Sequence, residues 1–273
     1  MHDDTLIRSP LLAGIFYPGD GAQLNSKIEQ MIARFPPPDS LTCAIVAPHG
    51  SFQYSGRIAA RAWGALRGAR PSLIVIAGSA HLPYEEGVFL SESTRFDIPG
   101  ASVRVDADLQ AHLRQAVPSI RQDDLPHLEE HSIEMQLPFA AHLFPDIPVL
   151  PFIISGRSRT TNETAVNVMR ELKLCHGSDA VMVISSDMAV SETPEACDTL
   201  SREFISNLAE KSRGALRSDT GLQHSFCAET AIRSFMTANP EARAELLEYS
   251  NSSLFREHAD ELVVGYAAIR FVK

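Results

Sequence analysis

Three short apolar runs in this chain each lead into a side chain that can bind a metal or carry a proton. TCAIVAP at 42–48 is followed by His49, SLIVIAG at 72–78 by Ser79, Ala80 and His81, and AVMVISS at 180–186 by Asp187. Runs of this length, rich in Val, Ile and Ala, read as buried strands. In open α/β sheets, ligands bind beyond the carboxyl ends of the strands. Two imidazoles and one carboxylate are therefore expected at one sheet edge, a donor set suited to a transition metal. Asp187 is read as a fourth ligand or as a group that orients a bound water, with a helix N-cap as the alternative. His131 and Glu134 stand three residues apart, hence on one helical face. They are candidates for a general acid/base pair, or for groups that buttress the ligands from behind. Tyr54 either lines the pocket or packs.

The elements that must carry these residues alternate. IPVLPFIIS at 147–155 and LVVGYAAIRF at 262–271 add two more strands. Helical patterns occupy 23–34, 56–66, 106–115, 132–144, 162–174, 195–208, 228–238 and 242–249, with Pro138 kinking or delaying the fourth. Strands alternating with helices predict an α/β fold: one domain over residues 1–273 with a largely parallel central sheet covered by helices on both faces.

Composition narrows the function. The 273 residues are 44% hydrophobic, ample for a large core, and carry a net charge of −10 without a basic block. That argues against nucleic acid or an anionic membrane as partner. No run approaches the length of a membrane span, and the polar N-terminus lacks a signal-peptide core, so a cytoplasmic location is expected. Cys43, Cys175, Cys197 and Cys227 form no CxxC pair, which excludes a zinc knuckle and suits a reducing compartment. Cys43, Cys175 and Cys197 read as packing residues. His2, His112, His127, His142, His176, His224 and His258 match no motif and read as surface residues.

The motifs resemble those of the Memo-like family, whose bacterial and archaeal members are called AmmeMemoRadiSam system protein B. The resemblance rests on AGIFYPGD at 13–20, APHGSFQYSG at 47–56, GSAHLP at 78–83, EEHSIEMQLPF at 129–139, SSD at 185–187, FCAETAI at 226–232 and VVGYAAIRF at 263–271. It covers nearly the whole chain. The family fold is similar to that of extradiol-type (class III) non-haem iron dioxygenases, and its metal ligands are two His and one Cys. Carried over by motif, these are His49, His81 and Cys227. Cys227 enters only through the resemblance. Its place before a helical pattern suits a thiolate, since thiols at helix N-termini ionise readily. Such a set favours Fe(II) or Cu, with Zn as a third option.

The sequence also departs from the family pattern. Leu82 replaces the second His of the family's paired histidines. Gly50-Ser51-Phe52 replaces Ala-Gly-Tyr after the first ligand. Val190 stands where the family usually has a His three residues after the Ser-Ser-Asp aspartate, which removes one acid/base group of the related dioxygenases. Three functions are therefore expected from the resemblance. One is redox or dioxygenase-like chemistry on a small molecule. The second is a binding or accessory module for a protein partner such as a radical-SAM enzyme. The third is metal handling without turnover.

Overall fold

The computed structural model describes residues 6–211, 226–255 and 261–273. In chain order, β1 (Ile7–Arg8) precedes α1 (Gly21–Ile32), β2 (Ala44–Ala47), α2 (Gly56–Gly64) and β3 (Leu73–Ser79). Then come β4 (Gly87–Leu90), β5 (Arg95–Ile98), β6 (Ala101–Arg104), α3 (Ala107–Ala116), β7 (Arg121–Gln122) and α4 (Leu125–Leu128). α5 (His131–Glu134), α6 (Leu137–Leu143), β8 (Val149–Ser155), α7 (Arg159–His176) and β9 (Ala180–Ser185) follow. The last elements are β10 (Val190–Ser191), α8 (Pro194–Lys211), α9 (Glu229–Ala238), β11 (Arg243–Asn251) and β12 (Val263–Val272).

The fold is mixed α/β, with a central sheet flanked by helices. Its heart is four parallel strands in the order β2, β9, β3, β8. Both faces of these strands are apolar, and successive residues feed opposite cores, as a period of two requires. In β3, Leu73, Val75 and Ala77 pack into one core with α7 and α9, while Ile74 and Ile76 pack into the other with α1, α2 and α6. The flanks are antiparallel. β12 runs against β2 on one side, and β4 runs against β8 on the other. A separate sheet joins β1, β5 and β6.

Local chemistry sets the helices. Asp20 caps α1 by accepting from the Gln23 N–H at 2.8 Å, and Leu24, Ile28, Met31 and Ile32 form its buried stripe. The 132–144 pattern is two helices, α5 and α6, because Pro138 sits in the first turn of α6, where its missing N–H costs nothing.

One element differs from expectation. Residues 242–249 read as a helix, from their Ala, Glu and Leu content, yet form β11. That segment pairs antiparallel with β12 along its length, with a register shift between Leu246 and Glu248. Cross-strand pairing outweighs a weak local preference.

Candidate metal centre

Because β2, β9, β3 and β8 run the same way, their carboxyl ends open on one edge. Ala47, Ser185 and Ser79 are the last residues of three of them, so His49, Asp187 and His81 emerge together. The fourth, β8, delivers Gly156 and Arg157 to the same edge. α5 docks against β3 where Gly78 leaves room. A Cβ at Gly78 would come within 2.5 Å of Ser132 Oγ and 2.8 Å of Ile133 Cδ1. That close approach brings His131 against His81. The ring centroids of His49, His81 and His131 lie 5.0, 5.0 and 4.5 Å apart. Their donor nitrogens all fall within 4.8 Å of one another, so the group could hold a metal ion.

Hydrogen bonding fixes which nitrogen of each ligand is free. The Trp63 indole is a donor only, and its Nε1–H donates to Gln136 Oε1 at 2.8 Å. Gln136 therefore turns its Nε2 to the Pro48 carbonyl (3.0 Å) and to Ser185 Oγ (2.9 Å). The Ser185 hydroxyl donates to the Ser132 carbonyl at 2.6 Å. Its one proton is thus used, so at the 3.0 Å contact with His49 Nδ1 it accepts. His49 carries its proton on Nδ1 and keeps a lone pair on Nε2. Burial holds its pKa well below the usual range, helped by the neighbouring His81 and His131 imidazoles.

Glu130 does the same for His81. One oxygen accepts the His81 backbone N–H at 2.8 Å, and the other accepts Nδ1–H at 2.9 Å. The second oxygen also accepts the Ser132 N–H at 2.7 Å, capping α5, and lies 3.4 Å from His131 Nδ1. Burial opposes charge on both partners. Against it, the Cys227 and Glu130 contacts push His81 up to about 10, and His81 holds Glu130 down to about 2.

Cys227 stands in the turn before α9. Its Sγ accepts the Asp187 backbone N–H at 3.2 Å, lies 3.4 Å from Ser186 Oγ, and is 3.7 Å from His49 Nε2. Arg157 clamps that turn, donating to the Phe226 carbonyl at 3.0 Å and to Glu229 at 3.1 Å. Asp187 accepts the His49 backbone N–H at 2.9 Å, and burial pushes its carboxyl up to about 6. No helix follows it, since Val190 begins β10, so it clasps the ligand turn instead of capping a helix. These groups line a cavity of about 500 Å³ whose other wall is apolar, from Ile154, Met188, Val190 and Val264.

The structure gathers His49, His81, Cys227, Asp187 and His131 into one cavity, but it places Glu134 elsewhere. Glu134 is fully buried. Its carboxylate takes Arg8 Nη1 at 2.8 Å, the Leu11 and Leu12 N–H groups, and the Tyr17 hydroxyl. It braces the N-terminal segment against α5, although it shares the helical face that suggested acid/base work. Tyr54 packs edge-on against Phe255, outside the cavity lining. His127, read as a surface residue, is 2% exposed. Its Nε2 meets the Phe89 carbonyl at 3.1 Å, because the short helix α4 folds over β4. Cys175, read as packing, is exposed, while Cys197 is buried. His2, His224 and His258 lie outside the described residues.

Glu130, Gln136, Ser185 and Arg157 were not singled out from the sequence. Glu130 and Gln136 flank the His131 motif, and Ser185 precedes Asp187. A requirement that each ligand imidazole have a partner for its second nitrogen would have pointed to these neighbours.

The Memo-like protein family model matches residues 8–270. This chain belongs to the Memo-like family. A MEMO1 family protein of Methanosarcina mazei is 30% identical over 268 residues, covering 96% of this chain and 98% of that protein. Another, from Archaeoglobus fulgidus, is 30% identical over 273 residues, covering 97% and 99%. The Memo-like fold also overlays an uncharacterized Escherichia coli K12 protein of known structure. The TM-score is 0.52 at 12% identity, over 84% of this chain and 99% of that one. Among the described residues, no helix is long and apolar enough to cross a membrane.

Proposed function

We propose that this Memo-like chain is a metalloprotein. His49, His81 and Cys227 hold one transition-metal ion, and His131 moves protons beside it, during redox chemistry of a dioxygenase-like kind on a small molecule in the cavity. The observation that carries this reading is the pair of committed Nδ1 atoms. Ser185 and Glu130 take the Nδ1–H of His49 and His81, so the Nε2 atoms are the ones left for an ion; that of His49 is free, and that of His81 gives up to the ion the proton it shares with Cys227. Carboxylate or hydroxyl groups behind ligand imidazoles are the usual way to orient them and raise their basicity. The spacing of Cys227 from His49 fits as well. An ion bonded to an imidazole at about 2.0–2.1 Å and a thiolate at about 2.3 Å separates the two donors by roughly 3.6 Å in tetrahedral geometry. Cys227 Sγ and His49 Nε2 are 3.7 Å apart.

A thiolate with two imidazoles selects against Mg²⁺ and Ca²⁺, and Fe(II) or Cu are the proposed occupants, with Zn third. Bound there, a redox-active ion supplies Lewis acidity and one-electron capacity. The chain's own residues do the rest. Burial holds the His131 pKa below its usual value, so the imidazole is a neutral base near pH 7. Ile154, Met188, Val190 and Val264 give the cavity apolar surface against which the carbon skeleton of a substrate packs.

The test is metal content by mass spectrometry after anaerobic purification. Wild type is expected to hold about one Fe or Cu per chain. His49→Ala, His81→Ala and Cys227→Ser should lose it, and His131→Ala should keep it while losing any O₂-consuming turnover. A wild type that holds no metal even after reconstitution rules the reading out.

A further inference from the structure

Away from the cavity, three side chains of different chemistry meet at the surface between α3 and α7. His112 Nε2 on α3 lies 2.7 Å from Glu171 Oε1 on α7. One turn further along α7, Cys175 Sγ lies 3.4 Å from the same nitrogen and 3.7 Å from the same oxygen. All three donor atoms fall within 4.8 Å of one another. Among the described residues, this is one of two such groups of His, Cys, Asp and Glu, and it shares no residue with the cavity.

The spacing can be compared with what an ion requires. Tetrahedral zinc, with N and O ligands at about 2.0–2.2 Å and S at about 2.3 Å, sets its donors roughly 3.4–3.6 Å apart. The two contacts to sulfur already match this within about 0.2 Å. The short one, from imidazole to carboxylate, is a hydrogen bond held by a proton that an ion would replace. Sequence spacing explains why the geometry is preset. Glu171 and Cys175 are an i,i+4 pair on a helix of 18 residues, and α3 supplies the third donor from across the groove. The side chains of His112 and Glu171 are 47% and 23% exposed, so an ion has free access.

We infer that His112, Glu171 and Cys175 form a second, surface site for a thiophilic divalent cation of the zinc class, held by three protein ligands and one water and tying α3 to α7. On binding, the Cys175 thiol proton passes to solvent, and the proton that His112 Nε2 shares with Glu171 moves to Nδ1 of the same ring, which frees Nε2 for the ion. Carboxylate, thiolate and neutral imidazole then balance the two positive charges. Burial and the Glu171 charge both hold the free thiol's pKa up, and the cation relieves the second of these. The thiolate and imidazole select against Ca²⁺ and Mg²⁺.

The experiment is a Cd(II) titration of the full chain, followed by thiolate-to-metal charge-transfer absorption. In a chain carrying His49→Ala and Cys227→Ser, which removes two of the cavity's three ligands, its thiolate among them, a thiolate–Cd band is expected to saturate at one equivalent. It should vanish when Cys175→Ser is added. In otherwise wild-type protein, Cys175→Ser should remove one equivalent's worth of the band, so a folding failure of the cavity variant does not decide the outcome. Zn(II) should also slow alkylation of Cys175 about tenfold or more, and His112→Gln should abolish that protection. The inference is overturned if no band forms, if Cys175→Ser leaves the band undiminished, or if protection persists without His112. None of these results depends on whether the cavity binds metal.

Discussion

Replacing Arg8 by Met tests how the cavity's histidines are braced. The Arg8 guanidinium and the Glu134 carboxylate are 6% and 0% exposed and meet at 2.8 Å. Arg8 also donates to the carbonyls of His127 (2.9 Å) and Glu130 (3.1 Å), and so ties β1 to the segment that orients His81 and His131. Met keeps the length of the stem and its packing near Phe96, and removes only the charge and the donors. Breaking a buried ion pair from one side costs about 3–5 kcal/mol, because the other charge stays buried. Glu134 retains donors from Leu11, Leu12 and Tyr17, which lowers the cost. Two orphaned carbonyls raise it again by about 1 kcal/mol each. The expected loss is about 4 kcal/mol, or roughly 7 °C in Tm for a chain of this size. Urea and thermal unfolding followed by circular dichroism measure it. Adding Glu134→Gln to Arg8→Met removes the stranded charge and should recover part of the loss, so the pair is non-additive. A loss below about 1 kcal/mol for Arg8→Met, or strict additivity, would refute the reasoning.

Ser185→Ala removes the acceptor that fixes the His49 tautomer. Metal affinity, measured by competition with a chelator, should fall about 10- to 100-fold while the fold persists. Gly78→Ala drives a methyl into Ser132 and Ile133, with an expected cost of about 1–3 kcal/mol and weaker metal binding through displaced His131 and Glu130. Adding Ser132→Ala should relieve part of it, which denaturant midpoints can check. Burial lowers the His127 pKa from 6.5 to about 4, so the fold holds the neutral ring while the unfolded chain protonates first. Its contribution is complete above pH 6.5 and drains away as pH falls toward 4, by about 3 kcal/mol. His127→Leu should flatten that slope, and an unchanged slope would count against it.

The parallel core was legible because β2, β3, β8 and β9 are apolar on both faces, and such runs have few alternatives to burial in a sheet. His49, His81 and Asp187 were legible because each follows one of those runs. What was hidden depends on partners distant in sequence. β11 is a strand only because β12 lies beside it. Glu134 looked catalytic from its spacing to His131, but Arg8, 126 positions away, claims it. His127 is buried by a four-residue helix with no periodic pattern to reveal it. Cys227 could not be placed from spacing at all, since the residues that hold its turn, Arg157 and Ser186, come from other strand ends.

X-ray absorption of the metal-loaded chain is the most direct test of the ligand set. In the Cys175→Ser chain the expected first shell contains one sulfur at about 2.3 Å and two imidazole nitrogens at about 2.0–2.1 Å, with the sulfur lost when Cys227→Ser is added. A sulfur-free shell of three imidazoles from His49, His81 and His131 would contradict the account.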